Sequence, residues 1–451
     1  MRTFMTVLLG LLTAHAAAQS FIIDGAFDDW PANVVTTSDA AGDATGQLDV
    51  TEVSGVVMGN TVFVSVTITE PFNLQSGSSS NPDLKLVLDG GAGAAVEVRF
   101  RGRRVVRRDT NQTLTWDAVR YSSAPTVAAD RFEIRVDLSA VGGVADGSVS
   151  VWFEGSDTLG APLTIQEAAP AGPPTPARAD ARLKRGFRVV SLNTLRTGLF
   201  KPAQAARLAR LLVSAQADIY LLQEEYDSSE SQIEELFNSI MPLEKGQAWN
   251  AHKRGDTVVV SRWLMSGLPN YDTSYSAAAV LSPQGPIVVV SQHPKCCGYI
   301  GSSEDDRRIQ QAGLTAQVID EVRAGQHDGV VVLRDAPVII GGDWNLVGSR
   351  GPLDRLTAPE LPGVSELRLV HQGKADVSTW RELDGLGFPP GRLDVVVFDS
   401  QRLKPIDARV FDSAFLTQAQ LDRLGLQATD SLGSDHLMLI ADFLRLPAGN
   451  D

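Results

Sequence analysis

Val338-Ile339-Ile340-Gly341-Gly342-Asp343-Trp344-Asn345 decides how the second half of this 451-residue chain is read. The apolar start reads as a short buried strand, and it runs directly into a carboxylate and a carboxamide. The same grammar recurs outward in both directions. Asn193 follows the run 187–192, Glu224 follows 219–222, and His293 follows 287–291. Asp394 instead precedes Val395–Phe398, and Asp435-His436 precedes 437–443. These reach the same sheet edge if their strands run antiparallel to the first four. Between the strands, Pro202–Ala215 spaces Leu208, Leu211, Leu212 and Ala215 as one helical face, with Arg207 and Arg210 between them. Strands alternating with helices predict an α/β domain.

Composition narrows the class. Hydrophobic residues make up 43% and charged residues 21%, enough apolar material for sizeable cores, and the length suggests more than one domain. The formal charge is -14, from 40 Lys plus Arg against 54 Asp plus Glu, the opposite of a protein that clamps long stretches of nucleic acid. Any polyanion binding is therefore expected to be local.

The predicted edge gathers Glu224, Asp343, Asp394 and Asp435 with two imidazoles and two carboxamides. Carboxylates so crowded cannot all stay ionised unless a cation neutralises them. Oxygen donors without cysteine favour Mg²⁺, with Mn²⁺ or Ca²⁺ as alternatives. Singly, Asn193 reads as a turn residue, Glu224 as a solvated strand end and Asp343 as a helix cap. Their joint order at strand ends is what separates a site from coincidence.

Ser191-Leu192-Asn193, Leu222-Gln223-Glu224, Gly342-Asp343-Trp344-Asn345, Thr379-Trp380, Arg392-Leu393-Asp394 and Ser434-Asp435-His436, in that order, resemble the motifs of the endonuclease/exonuclease/phosphatase superfamily. The resemblance covers residues 187–446. It implies a four-layer α/β sandwich that hydrolyses phosphate esters by metal-assisted, in-line attack of water. It makes Glu224 a metal ligand with Asn193 alongside and Asp435 as a second metal contact. Asp343 would orient or deprotonate the water, and Asn345 would bond the water or a phosphate oxygen. Asp394 would fix His436 toward the phosphate, and His293 would protonate the leaving group. Arg307 or Arg308 would touch a phosphate, unless they only balance Glu304-Asp305-Asp306. The implied enzyme is an Mg²⁺-dependent phosphodiesterase with nucleic acid as first-choice substrate, and a phospholipid or phosphosugar phosphohydrolase as the alternative. An inactive extracellular binding protein is disfavoured because no expected catalytic residue type is missing. Trp344 and Trp380 read as packing residues.

Residues 1–18 have the form of a signal peptide: Arg2, an apolar run from Phe4 to Leu12 and small residues to Ala18. The protein is therefore expected to be secreted or periplasmic, and no later run approaches the ~20 apolar residues of a spanning helix. Residues 19–165 are rich in short alternating runs such as Val62–Ile68, broken by Gly59-Asn60, Asp89-Gly90-Gly91 and Gly142-Gly143. They predict an all-β sandwich, an accessory domain preceding the α/β one. Its opening, Ile23–Trp30, weakly resembles family 9 carbohydrate-binding modules, which implies a polysaccharide or surface ligand, or a spacer role. Asp43 and Asp49 are candidates for a structural Ca²⁺. The concentration Arg99, Arg101, Arg103, Arg104, Arg107 and Arg108 reads as a solvated hairpin face. A Pro-rich linker is expected over 166–185, leaving two separate cores, then the catalytic domain over 186–446 and a tail over 447–451. Cys296 and Cys297, the only cysteines, read either as a vicinal disulfide stiffening the loop after His293 or as two small packing residues.

Overall fold

A computed structural model describes residues 22–31, 34–46, 48–74, 83–167, 186–326, 333–371, 374, 376–383, 385, 387 and 388–447. The expected signal peptide, the tail beyond 447 and the linker from 168 to 185 lie outside the described residues; Gln166 ends a strand, Leu163–Gln166.

The first region is all-β, with every ladder antiparallel. One sheet runs in the order Val35–Ser38, Val50–Met58, Thr61–Phe72, Ala129–Asp137, Ser122–Ala124. The other runs Leu163–Gln166, Ser148–Gly155, Leu84–Asp89, Val96–Arg99, Arg104–Arg107, Gln112–Leu114. Period-two alternation sends Val62, Val64 and Val66 into the space between the sheets, where they meet Leu86, Leu88, Val149 and Val151. Phe63, on the opposite face, packs instead with Ile23 and Val56.

The second region is a four-layer α/β sandwich. Its first sheet is ordered Asn250–Arg254, Thr257–Ser261, Ile219–Gln223, Phe187–Asn193, Met438–Arg445, Leu403–Phe411, Val370–His371. The second is ordered Met265–Gly267, Tyr275–Ser282, Gly285–Gln292, Val338–Asp343, Asp394–Asp399, Val364–Glu366. Alternation again sorts the residues. Val189, Leu221, Val289, Ile339 and Val396 fill the layer between the sheets. Val190 and Leu192 point outward onto Leu208, Leu211 and Leu212 of the helix Pro202–Ala215. Val288, Val290, Val338 and Ile340 point outward onto Ala312, Val318 and Ile319 of the helix Ser303–Ala324. That helix begins where Ser302 accepts from the Asp305 N–H, carries three acids in its first turn and stops at Gly325 in the left-handed conformation.

The space between the sandwich sheets and the α/β layers hold separate clusters, but the seam between the regions is extensive, and Ile22 and Val127 pack onto the α/β clusters. Arg135 of the sandwich makes a buried ion pair with Asp376 at 3.0 Å, and Ile23 bridges to Asp376 through the backbone. Asn73 donates to the Gly348 carbonyl and accepts from Ile300 N–H. Trp116 donates its backbone N–H to Gly385 and its indole N–H to Gly387. A loosely tethered spacer would lack such buried polar pairing.

Candidate active site

Register assembles the site. The strands Phe187–Asn193 and Ile219–Gln223 are parallel, as are Gly285–Gln292 and Val338–Asp343, so their C-terminal ends share an edge. Asp394–Asp399 pairs antiparallel with Val338–Asp343, with Asp343 directly opposite Asp394. Met438–Arg445 is antiparallel to Phe187–Asn193 and delivers His436 to the same edge. Gly342 precedes Asp343 because a Cβ there would lie 1.9 Å from the Gln292 carbonyl oxygen of the adjoining strand. Glu224 and Asn345 both leave their strands in the left-handed conformation, at φ 62° and 50°, a costly backbone state for residues other than glycine.

At the centre stands the Asp343 carboxylate. Its Oδ2 lies 3.5 Å from His293 Nε2 and 3.5 Å from His436 Nε2, and accepts from Asn193 Nδ2 at 3.1 Å. Each imidazole has a second carboxylate behind it. His436 Nδ1 donates to Asp394 at 2.8 Å, and His293 Nδ1 donates to Asp256 at 2.5 Å. Burial opposes charge on both rings, but the facing carboxylates prevail. The Asp256 hydrogen bond and the charges of Asp343, Asp256 and Glu224 push His293 up to about 9. Asp394 and Asp343 push His436 up to about 10. Complete burial raises Asp394 above the usual carboxylate range, with the His436 charge opposing the rise.

Glu224, His293 and Asp343 present ligand atoms within 4.8 Å of one another, a donor set that fits a divalent cation through its two carboxylates. Asn193 and Asp435, the other two expected metal contacts, lie beside this group. Asn193 is fully buried beneath the cluster; its Nδ2 bridges Glu224 and Asp343 and its Oδ1 accepts from Leu195 N–H. Asp435 stands outside the 4.8 Å group and accepts from the Trp380 indole at 3.2 Å. Asn345 donates from Nδ2 to the Pro294 carbonyl at 3.1 Å, tying its strand end to the His293 loop.

Arg307 is not brought to the site. It pairs with Asp272 and Gln310. Arg308 is fully buried, donating to the carbonyls of Lys295 and Cys297 and to Asp305, so it anchors the loop beyond His293 instead of meeting a phosphate. Cys296 and Cys297 are exposed free thiols with their sulfurs 2.8 Å apart, beyond the ~2.05 Å of a disulfide. Burial and the Cys296 hydrogen bond push the Cys297 thiol up to about 11. Of the proposed Ca²⁺ pair, Asp43 gathers with Asp39 and Asp157, whereas Asp49 turns to the Gly42 N–H.

Sequence reasoning missed Asp256. It follows Gly255 in the turn between the strands Asn250–Arg254 and Thr257–Ser261, where Gly-Asp signals a hairpin and nothing marks a partner 37 residues from its histidine. Ser434 was legible only as part of a motif. Its hydroxyl donates to the Asn193 carbonyl and accepts from His436 N–H, joining two strand ends.

Glu224, Asp256, His293, Asp343, Asp435 and His436 all line one cavity of about 1190 Å³. A four-layer α/β sandwich with carboxylates and paired imidazoles converging at one edge is the architecture of a metal-dependent phosphoesterase. The chain matches the model of the Endonuclease/Exonuclease/phosphatase family over residues 190–436, more than half its length, and belongs to that family. No curated protein matches the chain. Among solved structures it is similar to TDP2 of D. rerio complexed with single-strand DNA product, at 16% identity over 57% of this chain and 98% of that one, with a TM-score of 0.37. It is also similar to the human nocturnin catalytic domain with bound sulfate, at 14% identity over 60% and 97%, TM-score 0.38. A third is beta toxin of Staphylococcus aureus, at 15% identity over 56% and 99%, TM-score 0.36.

Proposed function

We propose that the protein is an exported, Mg²⁺-dependent phosphodiesterase acting on nucleic acid. The observation that carries the reaction is the single cavity in which two carboxylate-backed imidazoles flank Asp343 beside Glu224. Glu224 and Asp343 would hold the cation, which supplies neutralisation of the non-bridging phosphate oxygens when bound. Asp343, between the two rings, is placed to orient the attacking water. His436, fixed by Asp394, faces the phosphate with its Nε2 and donates a hydrogen bond to the charge that develops there. His293, held by Asp256, is the proton donor for the departing oxygen. Asn345 keeps one amide hydrogen for a phosphate oxygen after bonding Pro294.

Two features of the cavity support a strand of nucleic acid as its substrate. Arg196, Lys201 and Lys295 ring the acidic floor, and Tyr226, 52% exposed, offers a face on which a base can stack. The neighbouring pair Tyr299 and Ile300, both exposed beside the cavity, favours the phospholipid alternative, because it is the apolar loop tip that the sequence did not reveal. Export rests on the signal-peptide form of residues 1–18. Among the described residues, no helix is long and apolar enough to cross a membrane. The deciding experiment is hydrolysis of plasmid DNA, single-stranded DNA, RNA, sphingomyelin vesicles and sugar phosphates, each with Mg²⁺ and with EDTA. Cleavage of nucleic acid that EDTA abolishes supports the proposal. Cleavage of sphingomyelin alone, or full activity in EDTA, overturns it.

A further inference from the structure

His293 stands where its strand ends. Residues 293–302 run from the strand Gly285–Gln292 to the helix Ser303–Ala324, and residues 344–350 run from the strand Val338–Asp343 to the short helix Gly351–Arg355. One buried pair lies under both segments. Arg308 donates from Nη1 to the carbonyls of Lys295 and Cys297 and from Nη2 to Asp305, and Asp305 accepts from the Gly301 and Ser349 N–H groups. Gly348 presses so closely on this pair that a Cβ there would collide with both side chains.

Across the seam, the sandwich closes over the same two segments. Asn73 follows the strand Thr61–Phe72 and is 1% exposed. Its Nδ2 donates to the Gly348 carbonyl at 2.9 Å, and its Oδ1 accepts from the Ile300 N–H at 2.8 Å. Ala128, also of the sandwich, donates its N–H to the Gly348 carbonyl at 2.8 Å. A carboxamide holds a donor and an acceptor at fixed separation in one plane, so it can fasten the carbonyl of one segment and the N–H of another at once. The segments it fastens carry His293 and Asn345, and the Asn345 side chain ties them together again at the Pro294 carbonyl.

We propose that Asn73 is a positioning residue for the reaction: the sandwich clamps residues 293–302 against residues 344–350 and thereby sets where the His293 imidazole meets the departing oxygen. This rests on the phosphodiesterase reading above. Asn73 stands outside the cavity, so its effect reaches the reaction only through the two segments. Removing the carboxamide leaves the Ile300 N–H unpaired at the seam and frees the segment at the end opposite His293. A proton donor works only within a fraction of an ångström of its place, so a small drift of the loop slows proton delivery and spares steps that need no proton. The sandwich thereby contributes to catalysis without touching substrate.

The test compares full-length wild type and N73A in Mg²⁺ on two short single-stranded oligodeoxynucleotides that differ in one atom. One has the ordinary oxygen as the departing atom, and in the other a bridging sulfur takes its place. An alkoxide needs a proton as it leaves, whereas a thiolate leaves without one. N73A should lower kcat on the oxygen substrate by about tenfold and on the sulfur substrate by less than about twofold. Equal kcat for wild type and N73A on the oxygen substrate overturns the proposal. An equal loss on both substrates also overturns it, since a merely structural asparagine would act on both. If N73A does not fold, N73D takes its place, because it keeps the volume and the acceptor for Ile300 but lacks the donor, and the same two outcomes decide. If wild type cleaves neither strand, the nucleic-acid reading itself fails, and hydrogen exchange then judges the clamp separately. The amides of Lys295 and Gly301, which donate to Gln311 and Asp305 rather than to Asn73, should exchange about tenfold faster in the variant. Unchanged exchange at both overturns the clamp.

Discussion

Two imidazole-carboxylate pairs stand on either side of Asp343, each with Nε2 at 3.5 Å from the same oxygen, yet they are made differently. Asp394 starts a strand of one sheet and His436 lies just before a strand of the other, and both are buried where the two sheet edges meet. His293 and Asp256 come from a loop and a hairpin turn, held in place by Arg308 under the loop and by the Asn345 bond to Pro294. The first pair is fixed by strand ends of the two packed sheets, whereas the second depends on struts to a loop and a turn. The rigid pair suits a group that must meet the developing charge in one geometry, and the strutted pair suits a proton donor that follows a departing group.

The largest effect should come from the rigid pair. His436→Ala is expected to lower kcat/KM by about 10³-fold, with Asp394→Ala close behind and the double variant little worse than the worse single. Additive losses in steady-state kinetics would show that the two do not act as one unit.

Asp256→Asn should be milder, about 10 to 100-fold in kcat, because the His293 ring stays in place while its proton is held less firmly. Asp256 raises His293, so removing its charge lowers the imidazole toward its ordinary value. The acid form is lost as pH rises through that value, and the alkaline limb of the kcat profile should therefore move to lower pH. A loss as large as that of Asp394→Ala, with no movement of the limb, would erase the distinction between the pairs.

Both rings hold protons in the cation-free protein, at about 9 and about 10, beside the carboxylates that would take a cation. A cation on Glu224 and Asp343 should lower both values without emptying the rings near neutral pH, so affinity for Mg²⁺ should rise with pH only in the alkaline range where the rings begin to lose protons. Calorimetry in buffers of different ionisation enthalpy measures that release. A pH-independent affinity would mean that the imidazoles do not compete with the cation.

The smallest effect is expected at the strutted pair's outer loop. Because Cys296 and Cys297 are exposed free thiols, Cys296→Ser/Cys297→Ser should change turnover by less than about twofold, and a reducing agent should leave it unchanged. A large loss on reduction of the native protein would restore the vicinal disulfide as a support for His293.

The site was legible to the extent that strands determine it. Asn193, Glu224, Asp343, Asp394 and His436 could be found because each lies within two residues of an apolar run whose end fixes its position. Arg307 was misplaced because sequence gives a helix its periodicity but not its rotation, and the turn that buries Arg308 carries Arg307 toward Asp272. Roles were harder than positions. Asn193 has the donors and acceptors of a ligand, and only the two carboxylates above it show that it bridges them.

By itself the sequence determined the layers, because alternation and helical period fix which face of each element is apolar, and those faces can be buried in few ways. It likewise determined which polar residues end strands at one edge. Only the tertiary structure decided that Asp256 stands behind His293 and that Arg103 of the sandwich reaches Phe388 at the catalytic cavity. Both contacts join segments distant in the chain through turns, where no periodicity constrains direction and the meeting point is set by how whole layers and domains pack.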